Sequence, residues 1–184
     1  APVVKNNSKC KFVKWDTSLE NITSDVTIKA LVSSEADVKV VVYKENLDGE
    51  YVFFNETVIK VNTKDGEYTH KFPIIANYVF IGDKSNLTCI PDMLEVQELT
   101  LYYDLQRFTV TFEIGDLSHV SGELEQTIPY GGSAIAPEVS GTRTSAFKNW
   151  DKSFNKITGN LTVKAVCFPK KVCERQRKAE IPVW

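Results

Sequence analysis

The sequence predicts a mostly-β protein in which small modules follow one another along the chain. Short runs of residues alternate between apolar and polar side chains, which is the pattern of a half-buried strand. Turn-forming Asp-Gly and Gly-Gly pairs separate these runs. Long stretches with the helical period are absent, so we expect at most one short helix in each module.

The predicted strands follow from the period-two pattern. It is clearest where Phe108, Val110 and Phe112 share one side of a run whose other side carries threonines. The same pattern predicts strands at 26–32, 38–44, 51–54, 57–61, 68–72, 78–81, 98–103, 107–114 and 161–167. Turns are expected at 47–49, 64–66, 82–85 and 130–132. The candidate helical segments are Ile90–Val96 and a single turn at Asp151–Asn155.

Part of the chain repeats. Residues 12–31 read FVKWDTSLENITSDVTIKAL, and residues 147–166, which follow 135 positions later without a gap, read FKNWDKSFNKITGNLTVKAV. The identical pairs are Phe12/Phe147, Trp15/Trp150, Asp16/Asp151, Ser18/Ser153, Ile22/Ile157, Thr23/Thr158, Thr27/Thr162, Lys29/Lys164 and Ala30/Ala165. Repetition of this kind indicates arrayed modules, each of them one small fold.

The repeat suggests an organisation in four parts. We expect residues 1–33 to hold the C-terminal half of one module, 34–104 a middle β unit, 105–168 a complete module, and 169–184 a basic tail. Residues 107–143 have no counterpart before Cys10. Half a β module would expose unpaired strand edges. Either the natural protein continues upstream, or residues 1–33 dock onto the middle unit.

The complete module resembles a known repeat family. Its residues are Thr109-Val110-Thr111-Phe112, Gln126-Thr127-Ile128-Pro129-Tyr130-Gly131, Ser133-Ala134, Ala136-Pro137, Trp150-Asp151, Phe154, Ile157-Thr158 and Leu161-Thr162-Val163-Lys164-Ala165. In this combination residues 108–168 resemble the Listeria–Bacteroides repeat, also called the internalin B-repeat. Two features depart from the family pattern: Thr144-Ser145-Ala146-Phe147 replaces the usual Gly-Tyr-x-Phe, and a cysteine stands at 167.

The middle section resembles, more weakly, a mucin-binding-type β module. The resemblance rests on Tyr78-Val79-Phe80-Ile81-Gly82, Ser85-Asn86-Leu87-Thr88 and Leu99-Thr100-Leu101-Tyr102-Tyr103. Both families are β-grasp-like modules found in tandem on exported bacterial surface proteins. The two resemblances imply a β-grasp-like fold, and adhesion, display or virulence functions at a cell surface.

Composition narrows the classes of partner. The formal net charge is −2, which disfavours broad capture of nucleic acid because phosphate contacts need clustered Lys and Arg. No apolar run approaches the roughly 20 residues needed to span a bilayer, so no membrane insertion is expected. We expect an extracellular or cell-surface location, and the neighbouring modules of the same polypeptide as further contacts.

Four cysteines permit two disulfides. Cys167 and Cys173 frame a short loop and would bond to each other, leaving Cys10 to pair with Cys89. Three connectivities are open, and free buried thiols are the alternative. The spacing is not that of a zinc site, and only two histidines are present, so no metal and no cofactor is expected.

Five Asn-x-Ser/Thr sequons occur, more than chance provides among eleven asparagines. They begin at Asn6, Asn21, Asn55, Asn86 and Asn160. In a eukaryotic secreted protein they would be surface glycosylation sites. Asn21 and Asn160 fall within the repeat, where turn formation is the alternative reading.

The repeated Trp-Asp pairs are interpreted as structural anchors. A tryptophan buries a large apolar area in a small fold, so Trp15 and Trp150 are expected in cores rather than at a ligand. Asp16 and Asp151 lack the second titratable group that general acid–base catalysis needs. No nucleophile, base and oxyanion donors converge in the sequence, so no catalytic residue is assigned and an enzyme is not expected.

These observations favour a non-catalytic extracellular module that acts in adhesion or in recognition of a host or extracellular protein or glycan. The candidate recognition surface consists of strand aromatics, namely Tyr51, Phe53, Phe54, Tyr102 and Tyr103, of which half would belong to a core. The basic tail is a second candidate surface, for polyanions. The alternative function is that of a structural stalk that spaces another domain from the surface.

Overall fold

The computed structural model describes residues 2–170 and divides the chain into two compact units, with the boundary between Leu105 and Gln106. The described residues form fourteen strands and a single 3-10 turn, Gly82–Lys84. The expectation of a mostly-β protein is therefore confirmed.

The first unit contains eight strands. They are β1 (Lys11–Trp15), β2 (Ala30–Ser33), β3 (Glu35–Glu45), β4 (Tyr51–Asn62), β5 (Tyr68–Thr69), β6 (Tyr78–Phe80), β7 (Thr88–Cys89) and β8 (Gln97–Leu105). Its main sheet has the order β4-β3-β8-β6, in which β3 and β8 run parallel and the outer strands are antiparallel to them. Two small sheets, β1-β2 and β5-β7, complete the unit.

The main sheet of the first unit has one buried face. Period-two alternation places Val38, Val40 and Val42 of β3 on that face, beside Leu99 and Leu101 of β8. All five are buried, and residues of the following loops and short strands pack against them. Each buried isoleucine-sized or valine-sized side chain contributes about 1.5–3 kcal/mol relative to an exposed one, so this face is the main source of stability for the unit.

The second unit contains six strands. They are β9 (Arg107–Glu113), β10 (Ser118–Ser121), β11 (Glu125–Pro129), β12 (Glu138–Ser140), β13 (Ser145–Trp150) and β14 (Leu161–Pro169). Its main sheet has the order β11-β9-β14-β13, and β9 and β14 form the parallel central pair. Numbered by chain order within each main sheet, both sheets read 2-1-4-3 with parallel central strands. Within residues 2–170, no α-helix crosses either sheet.

The core of the second unit forms on one face of this sheet. Val110 and Phe112 of β9 and Val163 of β14 are buried together with Ala134 and Ile157, which come from the connecting segments. The alternation predicted for Phe108–Phe112 therefore holds, because those side chains face the core while Arg107 and Glu113 are exposed. The folds of the two units rest on the same arrangement, a parallel pair with one buried face.

The expected turns are observed, but the expected helical segments are not. Gly49, Gly66 and Gly131 have positive φ angles of 81°, 83° and 82°, a conformation that glycine adopts without steric cost. The prediction of a helix at Ile90–Val96 is wrong: the Asp92 side chain accepts a hydrogen bond from the Leu94 N–H at 2.7 Å and forms a turn instead. The alternative, a helical turn at residues 151–155, is also wrong.

Three strand predictions need correction. The two strands expected at 51–54 and 57–61 form one continuous strand, β4, which pairs with β3 along its length despite a register shift between Val42 and Tyr43. The strand expected at 68–72 is only two residues long. The strand expected at 26–32 begins only at Ala30. This last error has a physical cause: within residues 2–170, the segment before Ala30 has no neighbouring strand to pair with.

The three described cysteines are free thiols in the structure. Cys89 lies in β7 and packs against the first core, whereas Cys10 lies in the segment before β1, where its N–H donates to the Asn7 side chain. The structure therefore does not join Cys10 to Cys89. Cys167 lies in β14, and its expected partner Cys173 lies outside the described residues, as does the tail from 171 onward.

Candidate binding surface

The outer face of the first unit's main sheet carries an aromatic cluster at one end. We call the four residues Tyr43, Tyr51, Phe53 and Tyr102 the aromatic surface. Tyr43 and Tyr102 lie side by side on the parallel strands β3 and β8 and stack with ring centroids 5.2 Å apart and 15° between their planes. Phe53 and Tyr51 of β4 add edge-to-face contacts at 6.3 Å to Tyr43 and 5.1 Å to Tyr102. Such contacts fix ring positions.

The aromatic surface is accessible to a partner. Phe53 is 60% exposed, and the three tyrosines are half-buried. The opposite face holds the core, so the sheet presents fixed rings on one side while being anchored on the other. Exposed apolar area rimmed by polar groups is a typical feature of interaction sites.

Charged and hydroxyl groups border one edge of the aromatic surface. The Tyr51 hydroxyl donates to a carboxylate oxygen of Asp104 and accepts a hydrogen bond from Lys84 Nζ at 2.8 Å. Burial, followed by the bond to Asp104, raises the pKa of Tyr51, and the bond to Tyr51 raises the pKa of Lys84. At neutral pH the edge therefore presents a neutral phenol between an ammonium group and a carboxylate.

The remainder of the outer face carries mainly charged side chains, with the buried Val41 among them. Lys39 lies between Glu56 and Glu98 at 3.0 and 3.4 Å, and the hydrogen bonds that it donates to these carboxylates raise its pKa. Val58, beside Lys39 in the ladder, is an exposed apolar residue on this polar half. The face thus divides into an aromatic end and a charged end.

The sequence predicted part of this surface. Three of the strand aromatics that the sequence offers as a recognition surface lie on it: Tyr51, Phe53 and Tyr102. Tyr103 is instead 1% exposed in the core, where its hydroxyl donates to the Pro73 carbonyl at 2.8 Å. Phe54 does not contact the aromatic surface; its ring lies under Lys44 Nζ.

Three members of the site were missed by the sequence interpretation: Tyr43, Lys84 and Asp104. The alternation of β3 places Tyr43 opposite to the buried valines, and this signal was available in the sequence. Lys84 and Asp104 gave no signal, because only the pairing of β8 with its neighbours and the 3-10 turn at Gly82–Lys84 bring them to Tyr51.

The repeated Trp-Asp pairs adopt the same geometry in both copies. In each copy the phenylalanine three residues earlier contacts the tryptophan with ring centroids 5.3 Å apart at 59°. The aspartate side chain accepts a hydrogen bond from a lysine N–H thirteen residues later, at 2.8 Å for Asp16–Lys29 and 2.7 Å for Asp151–Lys164. Both aspartates thus bond to the backbone of the paired segment.

The five sequon asparagines are all exposed. Asn21 has a positive φ of 54°, which is a turn conformation. Asn6, Asn86 and Asn160 accept backbone hydrogen bonds through their side-chain oxygens, as in the 2.9 Å bond from the Thr109 N–H to Asn160. Asn55 lies on β4.

Other chemistry-bearing residues do not converge. Burial lowers the pKa of His70, whose ring nitrogen lies 3.1 Å from the Tyr68 hydroxyl, whereas His119 is exposed and contacts the Gly122 carbonyl. No group of three or more potential metal ligands occurs within residues 2–170. Across the same residues, no helix has both the length and the apolar character needed to cross a bilayer.

The fold and the aromatic surface define a mostly-β protein of two units with a candidate binding face on the first. No protein-family model matches the chain, and no curated protein is significantly similar to it in sequence.

Proposed function

We propose that this chain is a non-catalytic recognition module of an extracellular or cell-surface protein, and that it binds a glycan or protein ligand through the aromatic surface. The observation that carries the proposal is the ordered set of exposed rings, Phe53 above all, beside the Lys84–Tyr51–Asp104 edge. Flat rings offer stacking area at low entropic cost, and the edge offers both donors and acceptors.

The proposed location has separate support. The resemblance of residues 108–168 to repeats of exported surface proteins favours a position outside the cell, and the exposure of the five sequons is compatible with it. The two compact units of the chain agree with the tandem β modules that the two family resemblances imply.

The test is binding of the full chain to immobilised mucin, matrix proteins and a glycan panel at two salt concentrations. We expect saturable binding to one of these, and Phe53→Ala should weaken it by about tenfold or more, because exposed aromatic anchors dominate binding energies. Val58→Ala is the matched control: it removes a similarly exposed side chain from the polar half of the same strand and should leave affinity unchanged.

Two outcomes would contradict the proposal. If the Phe53→Ala variant bound with the same affinity as the unmodified chain, the aromatic surface would not be the binding site. Absence of binding to every immobilised partner by a folded chain would instead favour the structural spacer.

A further inference from the structure

The two copies of the repeat differ in what covers their apolar face. In the second unit, four side chains of this face pack in or against the core: Phe154, Ile157, Leu161 and Val163. Their counterparts, 135 positions earlier, are Leu19, Ile22, Val26 and Ile28. Ile157 is 3% exposed and Ile22 is 54% exposed. The first copy therefore carries a core-forming face on which Ile22 stays more than half exposed within residues 2–170.

The same difference appears in the backbone. In the second unit, Leu161–Lys164 of β14 pairs in parallel with Val110–Glu113 of β9. The counterpart segment, residues 26–29, lies in no strand, although Ala30 onward pairs with β1 in the same register as β14 with β13. The two hairpins have the same register. The strand extends further in the second unit, where β9 lies parallel to it, than in the first copy. Within residues 2–170, no strand pairs with residues 26–28, whereas Lys29 bonds to Asp16 through both its N–H and its carbonyl.

We call residues 106–135 the front half of the second unit. The side chains that bond to this front half have counterparts in the first copy. The Thr109 N–H donates to Asn160 at 2.9 Å, and Asp25 supplies a carboxylate at the counterpart position. Lys164 pairs with Glu113 at 2.9 Å, and the identical Lys29 is exposed. An incoming strand of the β9 type would therefore meet an acceptor and a cation in matching places.

A turn of the front half makes the remaining contacts. The Gly131 N–H donates to the Ile157 carbonyl at 2.6 Å, and the Ile157 N–H donates to the Gly132 carbonyl at 2.7 Å. These two bonds hold the glycine turn beside the backbone of Ile157, whose side chain is buried. The same two backbone groups of Ile22 lie on an exposed segment in the first copy.

The sequence correspondence also extends beyond the motif. The expectation that residues 107–143 have no counterpart before Cys10 needs one correction: at the same offset of 135, Ala1-Pro2 and Val4 match Ala136-Pro137 and Val139. Pro137 is buried, whereas Pro2 is exposed. The similarity between the copies thus includes these three positions as well as the apolar face.

We propose that residues 11–33 are an acceptor site for a polypeptide with the chemistry of residues 106–135, the front half of a module of this class. Its first strand would add in parallel beside residues 26–29, and its glycine turn would bond to the backbone of Ile22. This is recognition by strand addition, in which main-chain bonds supply affinity and the apolar pocket supplies specificity. The proposal is independent of the aromatic surface.

A graft tests the acceptor directly. A copy of residues 106–135 placed immediately before Ala1 of the full chain reproduces the spacing of the second unit, because Ala136 is the counterpart of Ala1. We expect the amides of residues 26–28 to exchange with solvent at least about tenfold more slowly than in a chain that carries the same thirty residues in scrambled order.

Matched substitutions locate the effect. Ile22→Lys in the grafted chain should abolish the added protection, because a lysine cannot be buried unpaired in place of the isoleucine. Ile74→Lys adds the same charge at a 98% exposed position of the same unit and should leave the protection intact. Equal exchange in grafted and scrambled chains, or protection that survives Ile22→Lys, would overturn the proposal.

Discussion

The two copies of the repeat fold alike and differ in what surrounds them. Both share the hairpin register, the bulge, the ring contact of Phe with Trp and the aspartate–lysine backbone bond. Only the second has a front half packed on it, so Ile157 is buried and Ile22 is exposed. Twenty residues therefore encode a local hairpin, whereas burial and the parallel strand come from elsewhere in the chain.

The largest expected difference between the copies concerns this isoleucine pair. Ile157→Ala should destabilise the second unit by about 2–5 kcal/mol, since it leaves a cavity in a packed core. Ile22→Ala should change the stability of the first unit by less than about 0.5 kcal/mol, since its side chain is more than half exposed. Urea unfolding followed by amide NMR signals of each unit measures both effects.

Equal losses of stability from Ile157→Ala and Ile22→Ala would contradict the difference between the two copies. Equal losses would mean that Ile22 is covered in solution. An intermediate-sized substitution, Ile157→Val, serves as a graded control and should cost about 0.5–1.5 kcal/mol.

The aspartate pair should respond equally. Asp16→Ala and Asp151→Ala each remove an acceptor from a lysine N–H and should cost about 1 kcal/mol locally, which corresponds to about fivefold faster exchange of the Lys29 and Lys164 amides. Hydrogen exchange resolved by NMR measures the two rates. Asp→Asn at each position keeps the acceptor and is the control; a response at Asp151 alone would contradict a shared local role.

A smaller effect concerns the pKa of Lys164, the lysine of the second copy. The hydrogen bond that Lys164 donates to the Glu113 carboxylate raises the pKa of Lys164, and Glu113 belongs to the front half. Glu113→Gln should therefore lower the pKa of Lys164 toward its ordinary value, as followed by the NMR shift of the carbon next to Nζ. Lys39, whose pKa is raised by Glu56 and Glu98, should not respond. An unchanged Lys164 titration would contradict the ion pair.

Much of the fold could be predicted from local patterns. The period-two alternation identified β3, β8, β9 and β14, because those strands have one buried face and the pattern records it directly. The pattern failed at residues 26–29, where the alternation is just as good as in β14. Strand formation there depends on a partner, which a local pattern cannot report.

The candidate site was less accessible to sequence reasoning. Alternation could separate Tyr102 from Tyr103, but it could not place Tyr102 beside Tyr43, since that contact needs the parallel pairing of β3 with β8. The register shift next to Tyr43 likewise removes Phe54 from the aromatic surface without a sequence signal. Local chemistry predicted which residues are aromatic, and the topology determined which of them meet.

The most direct test of the central comparison is hydrogen exchange on the unmodified chain. We predict that the slowest amide among residues 161–163 exchanges far more slowly than the slowest among residues 26–28, because only the former stretch is paired with β9. Comparable protection of the two stretches would show that the first copy is already covered, and would contradict both the difference between the copies and the acceptor site inferred from it.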